Sequence, residues 1–172
     1  MDSVVSKFDV AVDIRCDGWS TELAAAGDLC RRAAAAAFAS ADVSPEGVEI
    51  SVVLADDVFV QTLNRQWRDI DAPTNVLAFP GAEQSGDDDA VWLLGDVVVA
   101  LETTRRESDM ESKTFDHHLT HLIVHGVLHL LGYDHNSDAE AEKMEKLEIL
   151  ALGRLGIDDP YREYITDAQR LS

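Results

Sequence analysis

Three histidines stand at a spacing that suits one metal ion: His125, His129 and His135, in the segment His125-Gly126-Val127-Leu128-His129-Leu130-Leu131-Gly132-Tyr133-Asp134-His135. On a helix, residues four apart share a face, so His125 and His129 present two imidazoles side by side. Gly132 lies where that helix must stop. It adopts positive φ freely, and a sharp turn there brings His135 back towards the other two. Neutral imidazole suits zinc and the later first-row metals, and three protein ligands leave one coordination position open. Such an open site is a catalytic design, because the metal activates water near neutral pH. A lone HxxxH often arises by chance. A third histidine beyond a helix-stopping glycine is far rarer, so the pattern is read as a metal site.

The long zinc-protease signature shares this spacing, with a glutamate after the first histidine acting as general base. Gly126 holds that place here and cannot take a proton. Met144 falls within an expected helix rather than in a turn beneath the metal. A metalloprotease-like hydrolase is therefore the alternative reading, not the leading one. His117, His118 and His121 read as residues of the helix surface or the site's rim, since three ligands suffice. Asp134 either accepts an N–H from a metal-bound imidazole or caps the turn through its own backbone, and both stay open. Asp96 reads as a turn or hydrogen-bonding residue. Arg68, beside Asp69 and Asp71, reads on its own as a member of a surface ion pair. No side chain announces itself as general base.

These residues need a scaffold, and the patterning describes one. Phe8, Val10, Val12 and Ile14 alternate with polar or small residues, the period of a half-buried strand, until Asp17-Gly18 breaks it. An Ala-rich stretch from about Ser20 to Ser40 reads as one helix, with Leu23, Cys30, Ala34 and Phe38 along one face. Ser44-Pro45 and Gly47 separate it from a second strand over 48–54. Asp56 or Asp57 caps a helix running to about Trp67, with Phe59, Leu63 and Trp67 facing inward. A short apolar run, 76–79, precedes Pro80-Gly81. The stretch 83–89 is acidic and reads as a solvated loop, and 92–100 reads as a strand interrupted at Gly95-Asp96. Helices are expected over about 101–110 and 114–131, the second carrying His125 and His129. Ser137-Asp138-Ala139-Glu140 fits a capping box and opens a last helix towards Leu155-Gly156. The mixed element order predicts an α+β fold in a single domain over 1–172.

Length and charge bound what such a domain can do. A chain of 172 residues is long enough to bury roughly two-thirds of its unfolded surface. Its 14 Lys+Arg against 33 Asp+Glu give a net charge of −19, which excludes a broad basic face for nucleic acid and adsorption to an anionic membrane. Two cysteines, Cys16 and Cys30, are too few for a disulfide framework and read as buried or incidental thiols. The chain does not open on a basic region followed by an apolar stretch, and no run of about eighteen apolar residues occurs. A cytoplasmic protein is the expectation.

Taken together, the blocks of this sequence resemble the YbeY-type endoribonucleases, metal-dependent ribosomal RNA maturation factors of bacteria. The resemblance is carried by His125 to His135, by Leu63-Asn64-Arg65-Gln66-Trp67-Arg68 with Asp71-Ala72-Pro73-Thr74-Asn75-Val76-Leu77-Ala78-Phe79-Pro80, by Leu94-Gly95-Asp96-Val97-Val98-Val99, and by Met144 to Leu150 with Leu155-Gly156 and Asp159-Pro160-Tyr161. Two places depart from the family's usual residues, Asp69-Ile70 after the arginine and Ala78. The resemblance implies helices around a small mixed sheet and hydrolysis of single-stranded RNA in ribosomal RNA maturation and ribosome quality control. It implies one zinc ion on His125, His129 and His135, and a functional arginine at Arg68. It also implies ribosomal RNA, ribosomal proteins or the small subunit as partners, with no DNA and no membrane.

Chemistry agrees on Arg68: phosphodiester hydrolysis builds charge on the phosphoryl oxygens, and a guanidinium clamps two of them. The charge of −19 then permits a local positive focus, a divalent ion with Arg68 and Arg65, on a repulsive body. Such a protein grips bare RNA weakly. A reading of a different class is a ribosome-assembly binding module with a structural metal.

Overall fold

Alternation of apolar and polar residues makes Asp9–Ile14 a strand, β1, and the apolar run Val48–Ala55 a second, β2, buried at every other position of its first half and at both residues of its end. The computed structural model describes residues 8–81 and 92–161. Between the strands lie helices α1 (Gly18–Glu22) and α2 (Ala26–Ser40), and after them come α3 (Asp57–Arg68), β3 (Val76–Pro80) and β4 (Trp92–Ala100). Three helices follow: α4 (Leu101–Met110), α5 (Phe115–Leu130) and α6 (Asp138–Arg154). The four strands form one mixed sheet in the order β1-β2-β4-β3, parallel except for β3, which runs antiparallel to β4. The chain therefore has the α+β architecture that its patterning predicts.

The larger core lies on one face of the sheet, where α2 and α5 pack on the strands, α6 packs on those two helices, and Ile50, Val52, Val97 and Val99 join the same cluster. Phe38, Leu54, Ile123 and Leu128 are fully buried there, each contributing about 1.5–3 kcal/mol relative to exposure. A smaller cluster on the opposite face joins Val60 of α3 to Leu77 and Val98, with Phe59 and Leu63 half-buried beside it. Asp56 caps α3 by accepting from Phe59 N–H at 2.8 Å, and the Asp57 carboxylate accepts from Thr103 N–H at 3.0 Å to hold the start of α4. Among the described residues no helix is long and apolar enough to cross a membrane.

Several expectations change. The helix over 20–40 is two helices, because Leu23 takes extended backbone (φ −153°) after α1. Trp19 is the cause: its indole N–H donates to the Ala55 carbonyl at 2.9 Å and its buried ring packs on Phe115, which fixes α1 independently of α2. Trp67 does not face inward. Val60 and Asn64 occupy the buried line of α3, and the last turn leaves Trp67 71% exposed. Strand β4 is not interrupted at Gly95-Asp96. It bulges, pairing Glu49 with Leu93 and Ile50 with Gly95, and Gly95 tolerates the φ of 150° this needs. Both cysteines are free, Cys30 buried and Cys16 half-buried. The acidic stretch 83–89 lies outside the described residues.

Candidate metal centre

Helix α5 presents the first two histidines because both of its ends are fixed. Thr114 caps the start, its hydroxyl accepting from His117 N–H at 3.4 Å. At the other end Gly132 takes φ 101°, and Tyr133 N–H reaches back to the Leu128 carbonyl at 3.1 Å, the Schellman closure that turns the chain towards His135. Gly126 sets the depth of the helix on the sheet. A Cβ at that position would lie 2.7 Å from Val97 Cγ1, so α5 approaches β4 too closely for any side chain there. The glutamate of the protease signature has no room, and the protease reading loses its base on steric as well as chemical grounds.

The structure brings the three predicted ligands together. One ring nitrogen from each of His125, His129 and His135 falls within 4.8 Å of the others, and this group could hold a metal ion. The facing Nε2 atoms of His125 and His129 are 3.0 Å apart. Tetrahedral zinc with Zn–N bonds of about 2.0–2.1 Å sets its ligand nitrogens about 3.3 Å apart, so the spacing fits with slight expansion. Hydrogen bonding on the far side of one ring supports the same conclusion. His125 Nδ1 meets the carboxylate of Glu148 in α6 in a short hydrogen bond. A proton held at Nδ1 leaves Nε2 with a lone pair on the side of His129, the tautomer in which this ring could take a metal ion. Burial, then the neighbouring His125 and His135, lower the pKa of His129, which favours the neutral form that binds metal.

Glu148 is nearly fully buried and gathers two further groups: His121 Nε2 lies 3.3 Å from its second oxygen, and the Tyr161 hydroxyl donates a short hydrogen bond to it. Burial pushes this carboxyl up, but the hydrogen bonds and charge of His121 and His125 outweigh it and hold the group at about 2. Residue patterning did not single out Glu148. A signal was there, since it is a carboxylate on the buried stripe of α6 formed by Met144, Ala151 and Leu152. His118 is also not a surface residue. It is buried, with Nε2 2.9 Å from Glu107, which in turn accepts from Asn75 at 3.0 Å. Asp134 orders the turn: one oxygen accepts from His135 N–H at 2.8 Å and the other from the Asn136 amide at 2.7 Å.

Arg68 ends α3, where Asp69 in left-handed conformation (φ 59°) stops the helix. Asn64 ties the following loop beneath the helix through the Ala72 carbonyl at 2.8 Å. Arg65 stands 3.9 Å from Asp71, whereas Arg68 has no ion pair among the described residues. Arg68 lines a cavity of about 810 Å³ together with His125, His129 and His135. The one described carboxylate on that wall is Asp134, already engaged in the turn.

Comparison with known proteins places the chain in a family. The family model described as endoribonuclease YbeY matches residues 16–156. A protein named endoribonuclease YbeY from Rhodopseudomonas palustris is 54% identical over 152 residues, covering 87% of this chain and 90% of that protein. One of the same name from Paramagnetospirillum magneticum is 50% identical over 162 residues, covering 91% and 97%. The solution structure of TM1509 from Thermotoga maritima superimposes with a TM-score of 0.52 at 26% identity, covering 90% of this chain and 99% of that one. By the reach of the family model and the identity to these relatives, the chain belongs to the endoribonuclease YbeY family.

Proposed function

We propose that this chain is a zinc-dependent endoribonuclease that hydrolyses phosphodiester bonds in single-stranded RNA, acting in ribosomal RNA maturation and ribosome quality control. The observation that carries this reading is the open three-histidine group sharing one cavity with Arg68, which has no ion pair among the described residues. His125, His129 and His135 would hold the ion, which when bound supplies Lewis-acid polarisation of the phosphodiester and activation of water. Arg68 clamps the phosphoryl oxygens on which charge develops, with the forked geometry that a guanidinium alone among side chains provides. Glu148 keeps His125 in the tautomer that binds metal. Asp134 fixes the turn that presents His135.

With a net charge of −19, the body of the protein repels RNA, so substrate selection in the cytoplasm relies on proteins of the small ribosomal subunit for docking. The reading is tested by incubating the purified protein, of measured metal content, with single-stranded and structured RNA, with and without chelator. Cleavage that needs metal, prefers the single strand and is lost in His125→Ala and His129→Ala is expected. Undiminished cleavage in those variants would overturn the metal's catalytic role, and a folded, metallated protein that cuts no RNA would favour a binding module.

A further inference from the structure

Trp67 and Phe79 form an aromatic ridge on the wall of the metal cavity. Trp67 is 71% exposed, and its ring centroid stands 6.2 Å from that of Phe79 at an interplanar angle of 59°. Leaving a large indole in water is unfavourable, and Trp19 shows the ordinary solution, fully buried with its N–H bonded to a carbonyl. The ridge also borders a second groove. Trp67, Phe79 and Pro80 line both the metal cavity and a groove of about 650 Å³ on the open face of the sheet, floored by Phe59 and Val98. The two depressions thus adjoin at the ridge.

Charge decides what the ridge holds. In the second groove Arg15 lies 5.4 Å over the Phe59 ring but is matched by Asp13 at 2.8 Å, and Asp96 lines the same wall. That surface does not attract phosphate. An uncharged planar ring is a different matter, because stacking on indole meets no electrostatic opposition from a protein of charge −19. Trp67 and Arg68 are consecutive residues in the last turn of α3. A phosphate at Arg68 and a base at Trp67 therefore belong to the same nucleotide or to neighbours.

We propose that Trp67, seated on Phe79, is the stacking platform for an unpaired nucleobase of the RNA strand beside the phosphodiester held in the three-histidine cavity. The proposal rests on the endoribonuclease reading of that cavity. It supplies a physical source for single-strand preference, since a base paired in a duplex cannot leave its stack to meet the indole without added cost.

The test uses the full chain loaded with zinc and one single-stranded oligoribonucleotide, intact or carrying an abasic residue at successive positions around the cut. Wild type, Trp67→Phe and Trp67→Leu are compared for KM, kcat, affinity and metal content. Trp67→Leu is expected to raise KM about tenfold, the scale of one base–aromatic stack, with the loss falling on KM rather than kcat. Trp67→Phe should recover most of it, metal content should be equal in all three, and the penalty should persist at high salt. An abasic residue at one position should weaken wild type by the same factor and leave Trp67→Leu unaffected. Cleavage by wild type with no KM change in Trp67→Leu would overturn the platform alone. So would a Trp67→Leu effect limited to oligomeric state, which would mark the ridge as a contact between copies. Wild type that neither binds nor cuts RNA would overturn the platform and the endoribonuclease reading together.

Discussion

The carboxylate of Glu148 in α6 holds Nδ1 of His125 in α5, and by doing so turns the opposite nitrogen of that ring towards His129. The three-histidine group that could hold a metal ion thus depends on the packing of two helices, not on the histidine segment alone. Removing the carboxylate releases the ring and its tautomer. Glu148→Ala is expected to weaken zinc binding about 10–100-fold in competition with a chelator. Cleavage should return at saturating zinc, unlike in His125→Ala. Unchanged zinc affinity would show that His125 is oriented by other contacts.

Gly126 is the point of closest approach between α5 and β4, where a Cβ would come within 2.7 Å of Val97. Gly126→Ala gains helix propensity, but it forces the helix off the sheet. The overpacking should win, lowering stability by about 1–3 kcal/mol in denaturant titration. Gly126→Glu, which restores the protease residue, should be worse still and gain no peptidase activity. An alanine variant as stable as wild type would mean the sheet yields easily at this contact.

What could be read from sequence, and what could not, follows from the range of the interactions. His125, His129 and His135 were legible because helical periodicity and one glycine are local. Arg68 was singled out through the resemblance of its block and not through its spacing, and the structure places it on the wall of the histidine cavity. Glu148 had no such voice, since its role exists only once α6 packs on α5, 23 residues from His125. The break between α1 and α2 depends on a bond from Trp19 to a carbonyl 36 residues away, which alanine propensity cannot reveal. Trp67 sits at apolar helical spacing, but periodicity does not say where the surface beneath a helix ends.

Burial pushes the Cys30 thiol up from 9.0 to about 12, against a smaller opposing pull from Arg31. Between those values the folded chain keeps a proton that the unfolded chain has lost. The contribution of Cys30 is therefore complete below pH 9.0 and is lost as pH rises towards about 12. Cys30→Ala should flatten the alkaline decline in stability, followed by denaturant midpoints across that range. At pH 8, iodoacetamide should label Cys30 only as fast as the protein opens, and rapid labelling of the native protein would contradict its burial in α2.

Arg68 and the three histidines face one cavity without touching the same partners, so their roles should separate experimentally. Arg68→Ala is expected to keep its zinc and its stability, because the side chain is exposed and makes no ion pair among the described residues. Its loss should appear in the reaction. Removing a donor aimed at developing phosphoryl charge lowers kcat by about 10²–10³-fold. Arg68→Lys should recover only part, since an ammonium is a point charge and cannot hold two oxygens in one plane. Cleavage rates with metal content measured on the same samples would decide: equal rates in wild type and Arg68→Ala would remove Arg68 from the chemistry, and lost zinc would assign it to the metal site instead.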